Sequence, residues 1–226
     1  MQVQKAPLQP GEPAPAFTLP AANRDGAFSL ADWNGRAVLI GFYRGLHCPF
    51  CRRQVVQLGT LQPVLREAGV DILAVINTPL ERASVYFRHR PTPILLLSDP
   101  DCKTHQAFGV PHVEFVPEEA GATAAWPQTS TMTQFMAARH NPTGELPAPL
   151  HPMEANAVLN AKEGFEMQEA DHAIFAAHGT QLAGHFLIDR NGIVRWTQIE
   201  APGGPNELGT MPSVAQILAA VGSLAP

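Results

Sequence analysis

One junction constrains this chain more than any other feature. The apolar run Ala37-Val38-Leu39-Ile40-Gly41-Phe42-Tyr43 is followed, after a short link, by Cys48-Pro49-Phe50-Cys51 and then by a segment with helical periodicity. The run is continuous and rich in strand formers, which suits a strand buried on both faces. From Pro49 to about Ala68, Val55, Leu58, Leu61 and Leu65 recur at steps of three and four, with Arg52, Arg53, Gln57 and Gln62 between them and Gly69 as a stop. That spacing predicts a helix.

The pattern continues with an apolar Val70–Ile76, a helix-like Leu80–Arg88 and an apolar Pro93–Leu97 closed by Ser98-Asp99-Pro100. Strand alternating with helix predicts a parallel sheet with right-handed crossovers, ordered third, second, first. Near the other end, Phe186–Ile188 and Ile193–Trp196 flank Asp189-Arg190-Asn191-Gly192, a hairpin signal that adds an antiparallel edge. Val214, Ile217, Leu218 and Val221, after Pro212-Ser213, predict a closing helix. The stretch from Pro111 to Thr180 fits this scheme poorly, beginning Pro- and Ala-rich and turning helix-like only from about Met153 to His178. At 226 residues the chain reads as one domain over 1–226, with 111–180 as an insertion packed on it.

Composition narrows the function classes. A formal charge of -5 with scattered Lys and Arg gives no footprint for a phosphate backbone, which argues against nucleic acid as a partner. The stretch Met1 to Pro15 is polar with no apolar h-region, and no run approaches the roughly 18 apolar residues of a membrane span; a cytoplasmic location is expected. Three cysteines cannot all pair with one another, and so few point to redox chemistry or metal binding rather than a secreted disulfide scaffold.

Cys48 falls at the predicted helix N-cap, with Pro49 at the favoured first helical position. Thiols at helix N-termini or in Cys-x-x-Cys motifs have pKa values lowered to about 3.5 to 7.5 from about 8.5. Arg44, Arg52 and Arg53, and His47 when protonated, would push the same way. The spacing puts both sulfurs on one helical turn, so a thiolate on either can be resolved by its partner into a disulfide. Zinc is the sharper competitor, because Cys102 and His105 would complete a Cys3His set. In the expected strand order, however, Cys102 lies two strands from Cys51, about 10 Å away, too far for a shared metal. Cys102 then reads as a partly buried thiol near a helix start and His105 as facing its helix surface. Asp171, His172 and His178 do not share a face at ligand spacing, and His140 and His151 carry no pattern of their own.

Four segments together resemble the peroxiredoxins of the alkyl hydroperoxide reductase and thiol-specific antioxidant (AhpC/TSA) family: Gly11 to Leu19, Phe28 to Tyr43, Leu97 to Cys102 with Phe108-Gly109-Val110, and Phe186 to Arg195. The resemblance implies an α/β, thioredoxin-like fold of peroxiredoxin type: a central mixed sheet flanked by helices, with the long insertion before the C-terminal hairpin. The family's motif of Phe-Tyr-Pro, three residues, Thr, two residues and the peroxidatic Cys lays Arg44 on the Pro, Cys48 on the Thr and Cys51 on the peroxidatic Cys. The family's arginine, and the cis-proline of thioredoxin-like proteins, both fall on Ala183. Arg44, Arg52 or Arg195 would then have to supply the guanidinium.

The resemblance implies a thiol-dependent peroxidase that reduces hydrogen peroxide or organic hydroperoxides through a Cys48/Cys51 dithiol–disulfide cycle, with no cofactor or metal. It further implies regeneration by a thioredoxin- or glutathione-type thiol system, and it allows a homodimer. The nucleophile stays open, Cys51 by the family motif and Cys48 by thioredoxin logic, with a lean toward Cys51 for peroxide and Cys48 for disulfides. The alternatives are a protein-disulfide reductase or isomerase and, from another class, a non-enzymatic zinc- or partner-binding module.

Overall fold

The computed structural model describes residues 4–120 and 126–224; the first three residues of the polar N-terminal stretch and residues 121–125 of the 111–180 segment lie outside these. In chain order the elements are β1 (Thr18–Pro20), β2 (Ala27–Ser29), β3 (Ala37–Tyr43), α1 (Pro49–Glu67), β4 (Val70–Ile76), α2 (Leu80–His89), β5 (Leu95–Ser98) and α3 (Lys103–Ala107). Then follow β6 (Glu114–Val116), β7 (Thr129–Thr131), α4 (Met132–Ala137), α5 (Pro152–Glu163), α6 (Glu169–His178), β8 (Gly184–Ile188), β9 (Val194–Ile199) and α7 (Val214–Gly222). The main sheet is mixed and ordered β5-β4-β3-β8-β9, with β3, β4 and β5 parallel and β8 and β9 antiparallel. This is the expected third-second-first order with the hairpin added beside the first strand.

β3 is buried at every position, as a central strand covered on both faces must be. Leu39 and Tyr43 point into one core with Val55, Leu58 and Leu65 of α1, whereas Val38, Ile40 and Phe42 enter the other with Phe108 and Phe186. The period-two alternation of β3 thus splits the interior into two cores, one on each side of the sheet. Because β3 runs straight into the link before α1, the helix N-terminus and both of its cysteines sit at the C-terminal edge of the sheet.

Between 111 and 180 the structure differs from the sequence expectation. A 3-10 turn spans Glu118–Ala120 and α-helix begins at Met132, where Thr131 and Gln134 form a reciprocal capping box, while β6 and β7 form a small parallel pair. The helix-like stretch from Met153 to His178 divides into two helices, because Gly164 at φ +58 ends α5 before Gln168 and Asp171 cap the start of α6. Leu146, Ala155 and Leu159 join the α1-side core. The third core strand also begins two residues later than expected, after Pro93, which has no N–H to give to a ladder.

Gly41 has a specific reason to be glycine. A Cβ there would meet the Tyr43 ring at 2.7 Å, so the ring lies across the strand and its hydroxyl reaches His185 Nε2 at 2.8 Å. Gly41→Ala is expected to destabilise the protein by about 1–3 kcal/mol through overpacking. A denaturant midpoint unchanged within error would show that the ring can move aside.

Candidate active site

The two sulfurs sit on the first turn of α1, both reduced and both buried. Cys48 is the N-cap: its Sγ accepts the Cys51 N–H at 3.2 Å, taking the place of the Ser or Asp oxygen usual there. Arg44 Nε donates to the same sulfur at 3.4 Å. Burial disfavours the Cys48 thiolate, but the hydrogen bond from the Cys51 side chain, followed by the charge and hydrogen bond of Arg44, outweighs it and brings the thiol from 9.0 down to about 6. Cys51 moves the other way: burial, the hydrogen bond to Cys48 and the charge on Cys48 hold it well above the ordinary thiol range. At neutral pH the arrangement is one thiolate gripped by one thiol.

Arg44 is fixed by a group that sequence reasoning did not single out. Glu200, buried just beyond β9, takes Arg44 Nη1–H at 2.9 Å and Nη2–H at 2.7 Å in a bidentate pair. It also accepts the Ala183 N–H at 2.8 Å and the Gly209 N–H. Burial works against the charge on Arg44, yet Glu200 and the two sulfurs more than compensate, so it stays protonated. Gly209, at φ +81, comes so close to the Phe50 ring that a Cβ would sit 2.8 Å from it, which lets this loop reach Glu200. The only sequence signal was an acidic residue at the end of a hairpin strand, and nothing in its neighbours marks it as buried.

The other expected supporting groups are not where the electrostatic argument needs them. His47 is not cationic, because burial and then the charge on Arg44 push it down to about 4. Arg52 is buried against Glu163 at 2.6 Å and Asn160 at 2.7 Å, with its guanidinium 4.0 Å from the centre of the Phe165 ring. Arg53 pairs with Glu145 at 2.5 Å and with Glu163. Arg195 pairs with Asp189 at 2.7 Å in the hairpin turn. Strand register places that turn beside the start of β3, since Ile188 faces Val38 while Gly184 faces Phe42. Arg195 is therefore on the order of 20 Å along the sheet from the cysteines at 3.3 Å per residue.

The Cys3His set does not assemble. Cys102 is fully buried at the start of α3, accepts from Asn77 at 3.5 Å and is pushed up to about 12, chiefly by burial. His105 does not face the surface as expected; it is buried, with Nδ1 3.2 Å from Asp99 and Nε2–H donating to the Tyr43 carbonyl at 3.1 Å. Among the described residues no group of three or more His, Cys, Asp or Glu could hold a metal. Asp171 is likewise structural, capping α6 and pairing with Arg82 at 2.7 Å.

Cys48 opens onto a cavity of about 370 Å³ that Cys51 does not line. Its walls are Phe50 of α1 and, from the 111–180 segment, Phe115, Trp126, Phe135, His140 and Phe175. A larger groove of about 730 Å³, flanking α1 near Arg53, Tyr86 and Met211, contains neither sulfur.

Residues 10–142 match the family model described as "AhpC/TSA family". The chain belongs to the AhpC/TSA family. It is 35% identical over 105 residues to peroxiredoxin Bcp of Escherichia coli K12, a match covering 46% of this chain and 66% of that protein. It thus spans just under two-thirds of the length of the known relatives it matches, 64% in another case. The crystal structure of reduced Plasmodium vivax 2-Cys peroxiredoxin superposes with a TM-score of 0.57 at 16% identity, covering 96% of this chain and 82% of that one. The likeness establishes the thioredoxin-like α/β fold with its central mixed sheet. Among the described residues no helix is long and apolar enough to cross a membrane.

A titration of thiolate absorbance near 240 nm should show one thiolate appearing with a midpoint near pH 6, since the anion is the favoured form and is lost only as pH falls through that value. Arg44→Gln should move the midpoint up; an unchanged midpoint would remove Arg44 from the account. Glu200→Ala leaves Arg44 as an uncompensated buried charge and is expected to cost about 3–5 kcal/mol of stability, read from denaturant unfolding.

Proposed function

We propose that this protein is a thiol peroxidase in which Cys48 attacks the peroxide and Cys51 resolves the product. The observation that carries this is the Cys48 thiolate: depressed to about 6, held by Arg44 and facing an aromatic-lined cavity. At pH 7 such a thiol is roughly nine-tenths ionised, against a few per cent for an ordinary cysteine. The geometry favours the opposite order from the family motif, because Cys51 is the more strongly protonated thiol and lies behind Cys48, away from the cavity.

The Cys48 thiolate attacks one peroxide oxygen; the S–O bond forms, the O–O bond breaks and the departing oxygen takes a proton, leaving sulfenic acid on Cys48. The Cys51 sulfur, already hydrogen-bonded to Cys48, then displaces that oxygen as water and closes the disulfide. One dithiol of thioredoxin type, or two equivalents of a glutathione-type monothiol, would return the pair to the reduced state, leaving the reductant as its disulfide. The remaining parts of the reading are the single domain carrying 111–180 as its insertion, a cytoplasmic location and the peroxide substrate.

A second reading, thiol–disulfide exchange, is favoured by Cys48 as a low-pKa N-cap in a Cys-x-x-Cys motif. Against protein disulfides stands the roof over Cys48, which is 2% exposed beneath a cavity of small-molecule size.

Single-turnover oxidation by hydrogen peroxide and by cumene hydroperoxide, with the product mapped by mass spectrometry, tests both. Cys51→Ser should accumulate sulfenic acid on Cys48, and Cys48→Ser should lose at least about 100-fold in rate, the scale expected for removing an activated nucleophile. Fast oxidation of Cys51 in the Cys48→Ser protein would restore the family-motif assignment. Slow peroxide reaction with rapid exchange against small disulfides would select the second reading.

A further inference from the structure

The cavity above Cys48 contains two polar groups that the dithiol cycle leaves unused. His47 lines it, 4% exposed, with its ring 5.4 Å from Phe175, and neither of its nitrogens has a hydrogen-bond partner among the described residues. His140, also 4% exposed, lines the same cavity with its ring 4.9 Å from Phe50. Its Nδ1–H donates to the Leu208 carbonyl at 2.6 Å, which fixes the tautomer and leaves Nε2 as a bare acceptor, likewise unpartnered. A buried polar atom left unpaired costs about 1–3 kcal/mol, so two such imidazoles in an aromatic chamber call for a ligand that completes them.

Arg44 cannot fill the role alone. Four of its five N–H groups are engaged, one by the Cys48 sulfur, one by the Gln181 carbonyl and two by Glu200. The donor that meets the departing oxygen must come largely from elsewhere. His47 immediately precedes Cys48 in the chain, and both imidazoles are neutral, His47 at about 4 and His140 shifted down by burial. A neutral ring offers one donor and one acceptor, which matches the two oxygens of a hydroperoxide.

We propose that His47 and His140 hold a hydroperoxide in this cavity, His140 Nε2 accepting its O–H and His47 donating an N–H to the oxygen that departs when Cys48 attacks. This rests on the reading that Cys48 is the peroxide-reacting thiolate. The step balances as thiolate plus R–O–O–H plus one solvent proton giving Cys48–S–OH plus R–OH: the S–O bond forms, the O–O bond breaks, and the sulfur supplies both electrons. His47 stabilises the alkoxide while it develops and gives up no proton.

The test is single-turnover oxidation of Cys48 in the Cys51→Ser protein by tert-butyl hydroperoxide, which releases an alkoxide, and by peroxyacetic acid, which releases the far more stable acetate. His47→Phe should slow the alkyl hydroperoxide on the order of 100-fold, the usual loss for one oxyanion donor, and the peracid by less than about 5-fold. His47→Gln, which keeps an N–H, should recover the alkyl hydroperoxide rate to within about 5-fold. His140→Asn keeps an N–H for the Leu208 carbonyl and lacks Nε2; it should raise the half-saturating concentration of tert-butyl hydroperoxide about 10-fold without moving the Cys48 titration midpoint, as expected for one lost hydrogen bond.

If His47→Phe does not fold, His47→Leu makes the same comparison, with the unfolding midpoint checked for each variant. Equal slowing of both oxidants, or of neither, overturns the inference while leaving the peroxidase reading intact. Failure of the Cys51→Ser protein itself to react with either oxidant faster than a free thiolate overturns the peroxidase reading and this inference with it.

Discussion

The buried ion pair between Arg44 and Glu200 is the interaction on which the rest of the site depends. It joins the link after β3 to the residue after β9, and through the Ala183 and Gly209 amides it draws in two further stretches of backbone. A buried pair of this kind adds modestly to stability but is costly to break, because neither charge can be left alone in the interior. The hairpin must therefore be docked beside β3 before Arg44 has a settled position. Only then does its Nε–H point at Cys48. The mixed sheet thus fixes the placement of a guanidinium next to a sulfur.

Three cysteines of one chain acquire three characters from their surroundings alone. Cys102, buried at the N-cap of α3 with Asn77 donating to its sulfur, is pushed up to about 12, chiefly by burial. Cys51 is buried to the same degree as Cys48 and lies on the same helical turn, yet its thiol serves as the donor that holds its neighbour ionised. What separates Cys48 from the other two is first the hydrogen bond from the Cys51 thiol and then the charge and hydrogen bond of Arg44, which meet at its sulfur.

Much of this was legible in the sequence. The run Ala37–Tyr43, the helix from Pro49, the hairpin at Asn191-Gly192 and the N-cap position of Cys48 all follow from local apolar periodicity and turn chemistry. The family resemblance added the thioredoxin-like identity of that mixed sheet. What stayed hidden depends on contacts distant in sequence. Arg52 and Arg53 look like free cations until Glu145 and Glu163, from the 111–180 segment, are seen to claim them. His47 looks like a switchable cation until burial holds it neutral. Glu200 has no local pattern at all, and the aromatic chamber is assembled from residues that in the sequence resemble ordinary core positions. The capping boxes that divide the 111–180 segment were readable in principle, but the helix-like stretch read from Met153 to His178 carried no division at Gly164.

The use of a thiolate as a helix cap ties redox state to secondary structure. In the reduced form the Cys48 sulfur satisfies an amide of the first turn and neutralises part of the positive end of α1. In a disulfide that sulfur is neutral and a far weaker acceptor, so oxidation would weaken the helix cap and leave Arg44 with Glu200 as its remaining anionic partner. Whatever free energy the fold invests in holding the anion is withdrawn from the oxidised form, and the disulfide becomes correspondingly easier to reduce. In the proposed cycle the reduced pair is therefore the favoured form, because only there does the Cys48 anion cap α1.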